Sequence, residues 1–375
     1  MKPRVLVTGG AGFIGSHLVD ALIERGYRAR VFDNLEPQVH GKGKKVPEYL
    51  NRNIEFIKAD IREKKKLREA LKNIDVIFHL AAALGVGQSM YEIERYISIN
   101  CGGAANLLDI LANEKYRVEK IIIASSMSLY GEGAYYCRNC EKEVSPDLRS
   151  RDQLARHKWE LTCPACSQPL ASIATREDKP LFPSSIYAIS KRDQEEMFMN
   201  VGRAYNIPTV ALRYFNIYGS RQALANPYTG VAAIFSARIL NHNPPLIFED
   251  GLQSRDFVHV NDAVEASILA LEKGEADYQI FNVGSGKQLT ILEVANILGE
   301  KLGFAREPKI LNKFREGDVR HCFADISKIR SSLGFAPEVE FEEGLADLVE
   351  WVKRQRAVDR VEIAAEELAA RGLTR

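Results

Sequence analysis

The sequence predicts an α/β protein built on a doubly wound parallel sheet, and three observations predict it. Short, nearly continuous apolar runs alternate with helical patterns along much of the 375 residues, the composition of strands covered by helices on both faces. A glycine-rich turn joins the first of these runs to the first helix. The alternation stops in a cysteine-bearing stretch and then resumes, so that stretch reads as an inserted module.

In chain order, residues 4–8 form a β-branched run, and residues 13–25 carry apolar positions at helical spacing up to Gly26, a suitable C-cap. Strands are expected at 28–32 and 54–58, a charged helix at 62–72, a buried strand at 76–80, a helix over 91–113 and a strand over 119–125. From 134 to 175 cysteines, prolines and charges replace the periodicity. A helix at 187–204 and a strand at 208–213 follow. Beyond Gly219 helices mix with short strands, ending in a charged, Ala-rich helical tail over 343–371, expected to cover the surface or join an oligomer interface. With about 150 residues per domain, the expected organisation is a dinucleotide-binding domain over 1–216, the insertion 134–175 within it, and a smaller α/β substrate domain over 217–375 with segments returning to the first.

Composition excludes several classes. Lys plus Arg number 51 and Asp plus Glu 50, a formal net charge of +1, so no global field draws the chain to nucleic acid or an anionic membrane. No apolar stretch reaches the ~18 residues of a membrane helix, and glycines at 9, 10, 12 and 15 interrupt any signal-peptide core. Six cysteines are too few for a disulfide scaffold. The expectation is a soluble, cytoplasmic protein with neither nucleic-acid nor membrane partners.

Thr8 to Gly15 read TGGAGFIG. Gly9, Gly12 and Gly15 supply a tight turn, backbone approach to a pyrophosphate and close helix packing, and the helix amino terminus offers N–H groups to the phosphates. Asp33 lies 18 residues after Gly15, at the end of the second strand, where a carboxylate binds the adenine ribose hydroxyls. Asn34, rather than arginine, follows it, which favours NAD over NADP. Asp60-Ile61 after the third strand is placed to reach the adenine or to cap the next helix. The arrangement is that of a Rossmann-type fold.

Tyr187 and Lys191 stand four residues apart, on one helix face. A cation there is expected to lower the phenol pKa and make it a proton acceptor. The strand before them in the sheet runs into Ser125-Ser126, and the carboxyl ends of such strands face the ligand crevice. His79, ending a buried strand, reads as a packing residue. The basic loop 40–45 reads as a solvated loop.

Cys137-x-x-Cys140 and Cys163-x-x-Cys166 are separated by 22 residues. Four thiolates at these spacings suit a closed, structural, tetrahedral zinc close to the zinc-ribbon pattern. Cys101 and Cys322 read as ordinary buried thiols.

TGGAGFIG, Asp33-Asn34, HLAA at 79–82, Asn100, SSMSLYG at 125–131, YAISK at 187–191, RYFNIYG at 213–219, RDFVHV at 255–260 and FNVGSG at 281–286 together resemble the extended short-chain dehydrogenase/reductases, specifically their nucleotide-sugar epimerases and dehydratases. The resemblance spans nearly the whole chain outside the insertion. It implies Tyr187 as catalytic base and acid, Lys191 on the nicotinamide ribose, and Ser126 on the reacting oxygen. It also implies Phe13, Ile14, Leu80, Ala81, Ala82, Asn100 and Phe215 around NAD, with Asn216, Arg255 and Arg315 on the sugar diphosphate; the plain alternatives are structural ion pairs and a loop-capping amide. The family's 4,6-dehydratases carry Thr-Asp-Glu where this chain has Ser126-Met127-Ser128. Without that carboxylate pair, elimination of water has no proton donor or acceptor, so a 4-epimerase is implied. The insertion, with NPYTGV at 226–231 and PPLIFEDGLQSRDFVHV at 244–260, is most similar to the branch acting on dTDP-L-rhamnose, with UDP-glucose 4-epimerases next. A homodimer through the helices near 91–113 and 187–204 is also implied. The alternatives are a dehydratase or reductase of the same family, and a non-enzymatic NAD-sensing protein with a zinc ribbon.

Overall fold

The computed structural model describes all residues except 1, 44, 225, 227, 229 and 356–358; Lys44 of the basic loop and two positions of the 226–231 motif therefore lie outside the described residues. Seven strands form the central sheet: β1 Arg4–Thr8, β2 Arg28–Asp33, β3 Glu55–Lys58, β4 Val76–His79, β5 Lys120–Ser126, β6 Thr209–Tyr214 and β7 Ile280–Val283. They lie in the order β7-β6-β5-β4-β1-β2-β3 with every neighbouring pair parallel. The strand order reverses between β1 and β4, and in open parallel sheets ligands bind outside the carboxyl ends of the strands at that point.

Alternate side chains of β1 serve opposite faces. Val5 and Val7 pack with Leu18 and Leu22 of α1 (Phe13–Glu24) and with Ala263 and Ala266 of the helix Val260–Glu272. Leu6 packs on the other face with Leu107, Ile110 and Phe198, the last from α2 (Ile186–Ala204). A third cluster, around Phe235, Leu298 and Leu348, lies among the helices Val231–Leu240, Ile291–Lys301 and Phe341–Lys353. β7 belongs to the central sheet although it comes from beyond residue 216.

Two elements depart from the expected continuous helices. The helix over 91–113 is divided into Ile93–Tyr96, a π-helical stretch Ile97–Gly102 and Gly103–Asn113. The tail is two helices, Phe341–Lys353 and α3, Val361–Ala370. Within the insertion, Ala134–Cys137 pairs antiparallel with Lys142–Val144 and with Ala171–Ile173. Among the described residues no helix is long and apolar enough to cross a membrane.

Candidate active site and thiol cluster

A cleft of about 410 Å³ opens along the carboxyl ends of β1, β2, β4 and β5. Gly9, at φ +72°, turns the chain there, and a Cβ on it would come 2.9 Å from the Ala81 backbone nitrogen. A Cβ on Gly15 would overlap the Gly9 carbonyl oxygen. α1 starts after Gly12 with no side-chain cap, leaving its first N–H groups and positive dipole end for an anion. Phe13, Ile14, Asp33, Asn34, Asp60, Ile61, Leu80, Ala81, Ala82 and Phe215 all line the same cleft. Asp33 accepts hydrogen bonds from the N–H groups of Ala11 (3.0 Å) and Leu35 (2.8 Å); burial nonetheless pushes its carboxyl up. Asp60 accepts from Arg62 and from Asn34, and its carboxyl is held down at about 2, chiefly by Arg62. The cradle that a Cβ would fill, the uncapped helix and the carboxylate at the β2 end fit a dinucleotide.

Asn100 is the exception. It is fully buried, its amide accepts from the Ala83 N–H (2.8 Å) and donates to Ser190 Oγ (2.9 Å), and it is not part of the cleft wall. The π-helical stretch turns it inward, so that it fixes the loop after β4. His40, expected in a solvated loop, lies in the cleft wall with Nε2 3.9 Å from Asp33 Oδ1.

Ser126, Tyr187 and Lys191 all line this cleft. Ser125, beside Ser126, donates instead to Glu195 at 2.5 Å, on the far side of the strand. The expected lowering of the phenol by Lys191 is not what the structure has. Burial raises the Tyr187 pKa, and a hydrogen bond with Ser126 works the other way. The Lys191 ammonium donates to Gln194 Oε1 at 2.6 Å, and burial lowers its pKa to about 8. Because Oε1 of Gln194 serves the lysine, its Nε2 donates to His79 Nε2 (3.0 Å), leaving His79 Nδ1–H for Thr8 Oγ1 (3.0 Å). Burial drops the His79 pKa to about 3; it is a neutral packing residue, as expected.

A second cavity of about 290 Å³ continues from the first, sharing Val86, Asn216, Tyr228 and Gly230 as wall. Arg255 and Arg315 both line it. Asp318 joins them, its Oδ1 3.3 Å from Arg255 and its Oδ2 2.7 Å from Arg315. Burial acts against the Asp318 carboxylate, but Arg315 and Arg255 hold its pKa below the usual range. The Asn216 Oδ1 and Gln253 Oε1 atoms in the same wall are buried without a hydrogen-bond partner.

The four thiols of Cys137, Cys140, Cys163 and Cys166 lie within 4.8 Å of one another, with Cys137 and Cys166 sulfurs 3.5 Å apart and those of Cys140 and Cys163 3.9 Å apart. Tetrahedral zinc, with Zn–S near 2.3 Å, sets sulfurs ~3.8 Å apart, so the cluster fits that ion. The loop between the two pairs docks beside the arginines. Arg149 donates to both oxygens of Glu249 (2.8 and 2.9 Å) and to the Asp318 carbonyl (3.1 Å). Leu154 and Trp159 pack on Phe314, next to Arg315. Arg320, fully buried, binds Glu160, Glu249 and Asp250.

Reading the sequence quoted Tyr228 and Gln253 only within longer motifs, without a role, and missed Arg149 and the tail residues around the second cavity, which no local spacing marks because they reach the site through contacts with distant segments.

Residues 5–161 match the profile of the NAD dependent epimerase/dehydratase family, and residues 169–348 that of GDP-mannose 4,6 dehydratase. The chain is 35% identical to the dTDP-L-rhamnose 4-epimerase of Burkholderia thailandensis over 94% of this chain and 95% of that protein. It is 36% identical to the putative UDP-glucose 4-epimerase of Methanocaldococcus jannaschii over 93% of this chain and 98% of that one. Among solved structures it is similar to the UDP-glucose 4-epimerase of Thermotoga maritima with UDP-glucose (TM-score 0.75, 35% identity, 94% and 99% of the two chains). It is also similar to the UDP-glucuronic acid 4-epimerase of Bacillus cereus in complex with UDP-glucuronic acid and NAD (TM-score 0.76, 28% identity, 94% and 99%). With its glycine cradle, its Ser126, Tyr187 and Lys191 in one cleft and relatives along nearly its full length, this chain belongs to the NAD-dependent epimerase/dehydratase family.

Proposed function

We propose that this protein inverts C4 of a nucleoside-diphosphate sugar through a 4-keto intermediate, with dTDP-L-rhamnose, giving dTDP-6-deoxy-L-talose, as the first candidate and UDP-glucose/UDP-galactose as the second. One observation carries the choice of epimerisation. The carboxylates lining the first cleft, Asp33, Glu36 and Asp60, lie at the β2 and β3 end, and none stands at Ser126-Met127-Ser128. The sugar end thus offers hydroxyls and a phenol, which suffice for oxidation and reduction at a carbinol but not for elimination.

NAD held in the first cleft supplies reversible acceptance of the C4 hydride. Tyr187 takes the C4 hydroxyl proton and later gives it back. Ser126 Oγ accepts from the Ser128 N–H (3.1 Å) and hydroxyl (2.9 Å), which leaves its own proton for the reacting oxygen. Lys191, whose ammonium donates to Gln194, would hold the nicotinamide ribose. Gly9, Gly12 and Gly15 take the pyrophosphate, and Asp33 the adenine ribose. Asn216, Arg255 and Arg315 hold the substrate diphosphate while the keto sugar turns its other face; paired guanidinium forks suit those oxyanions. Asn100 acts one step back, by fixing Ala83.

Cys137, Cys140, Cys163 and Cys166 hold a structural zinc, which leaves no open coordination position for catalysis. The unpaired thiols suit the cytoplasm. Ile93 and Ile97, 50% and 37% exposed on the segment before Gly103–Asn113, suit the homodimer interface that this segment forms with α2.

The test is proton NMR of the purified protein with dTDP-L-rhamnose and UDP-glucose in separate tubes. A 4-epimer in at least one is expected. No change in either, or a 6-deoxy-4-keto product from UDP-glucose, would overturn the reading.

A further inference from the structure

The carboxyl-terminal helix α3 presents Val361, Ala364, Ala365 and Leu368, spaced i, i+3, i+4 and i+7, to the second cavity, and Leu373 joins them. This stripe belongs to none of the apolar clusters among the described residues, including the one around Leu348 to which the preceding helix contributes. A ten-residue helix does not persist in water on propensity alone, and α3 is tied down at both ends. At its start Asp359 accepts from the buried Arg238 (3.1 Å) and from Asn243 (2.9 Å). Near its end Glu367 accepts from Tyr91 (2.8 Å) and Tyr228 (3.2 Å), and Arg371 lies 4.2 Å over the Tyr91 ring.

The last residues form an isolated antiparallel bridge, Thr374 against Arg315. Phe314 and Arg375 exchange both backbone hydrogen bonds (2.9 and 3.1 Å), and the Glu316 N–H donates to Leu373 O at 3.0 Å. Arg315 is therefore held from both sides by the tail. The cavity so enclosed has two guanidinium groups at one part of its wall and apolar groups over much of the rest, among them Phe248, Leu246 and Ile234. An anion attached to a flat, largely apolar body matches that lining, and a nucleoside diphosphate is such a ligand.

Resting on the function proposed above, we infer that Val361, Ala364, Ala365, Leu368 and Leu373 form a wall of the nucleoside-diphosphate subsite, with Ala365 setting its width and the backbone pairing of the last residues with Phe314 and Glu316 positioning Arg315. The tail is then part of substrate selection rather than a surface cover or a subunit contact.

Three variants of the full NAD-loaded protein test this by calorimetric titration with dTDP and with UDP. Ala365→Trp fills the cavity, a chain ending at Arg371 frees the Arg315 segment, and Ile363→Glu alters a position of the same helix that is 59% exposed. The first two are expected to bind the preferred nucleotide at least tenfold more weakly and to raise KM for the sugar nucleotide in step. Their bound NAD content stays that of wild type, and Ile363→Glu changes none of these. If Ala365→Trp does not fold, the truncated chain carries the test. Nucleotide affinity within twofold of wild type in the folded variants would overturn the inference while leaving the proposed function standing. A wild-type protein that binds neither nucleotide would bring down both.

Discussion

The dinucleotide cleft takes most of its walls from the carboxyl ends of neighbouring parallel strands, whereas the arginine cavity beside it is assembled from segments far apart in the chain. In the first, Gly9, Asp33, Leu80 and Ser126 each sit at or just past the end of a strand, so sheet register alone brings them together. In the second, Arg149 meets Glu249 across 100 residues, Arg320 meets Glu160 across 160, and the last four residues pair with the segment around Arg315. The difference separates two tasks. On the function proposed above, hydride and proton chemistry falls to local motifs that the sheet aligns, while the arginine cavity is walled by distant segments and the tail, with the insertion docked beside it.

The largest expected effect lies in the first region. Tyr187→Phe keeps the buried ring but removes the proton carrier, and a loss on the order of 10³-fold in kcat is expected. Bound NAD, read after denaturing the protein, stays at wild-type content. Near-normal turnover would erase the assignment of chemistry to this cleft.

The second region is tested next by its thiols. Replacing Cys137 and Cys163 together with serine is expected to reduce bound zinc from one per chain to none, by elemental analysis, and to speed tryptic cleavage after the already exposed Arg151 and Arg156 as the loop between the cysteine pairs loosens. NAD content should be unchanged, because the cleft does not depend on the insertion. Loss of NAD together with zinc would mean that the two regions are one unit.

Arg149→Met probes the joint between the insertion and the arginine cavity. It leaves the Glu249 carboxylate, 3% exposed at the side chain, with Arg320 as its remaining guanidinium partner, so the cost falls below the roughly 3–5 kcal/mol of a buried charge left wholly unpaired. The urea midpoint should fall accordingly and KM for the sugar nucleotide should rise more than kcat falls. Arg149→Lys should recover part of both, which a loss of packing alone would not predict.

The last effect concerns acid stability. The His79 pKa is depressed by burial from 6.5 to about 3, so below 6.5 the unfolded chain binds the proton that the folded one refuses. Stability is present in full above 6.5 and is lost as pH falls towards 3. His79→Gln should flatten that limb of a denaturation series; an unchanged slope would contradict the neutral, packed histidine.

The same division decides what could be read from the sequence. Alternating apolar runs located the central strands through β6, and the glycine spacing located the phosphate turn, because both are short-range consequences of sheet geometry. The π-helical stretch at Ile97–Gly102 escaped, since one extra residue per turn leaves the apolar pattern nearly intact; with it went the inward turn of Asn100. The break between Lys353 and Val361 escaped for a similar reason, as the charged, Ala-rich stretch suits a helix throughout. The spacing places Lys191 one turn from Tyr187, as the helix has it, yet it says nothing of Gln194, whose side-chain carbonyl accepts from the ammonium. Gln253 lies inside the 244–260 motif, which assigns it no role, and the apolar stripe of α3 carries no motif at all. Their place at the cavity exists only once the chain has closed on itself.

The most direct measurement uses sugar nucleotide labelled with deuterium at C4, in ordinary water, with NMR of the product. The account predicts that the 4-epimer forms and keeps its full label at C4, because the hydrogen leaves and returns within one cleft. Loss of the label to water, or its transfer to added free NAD, would contradict it.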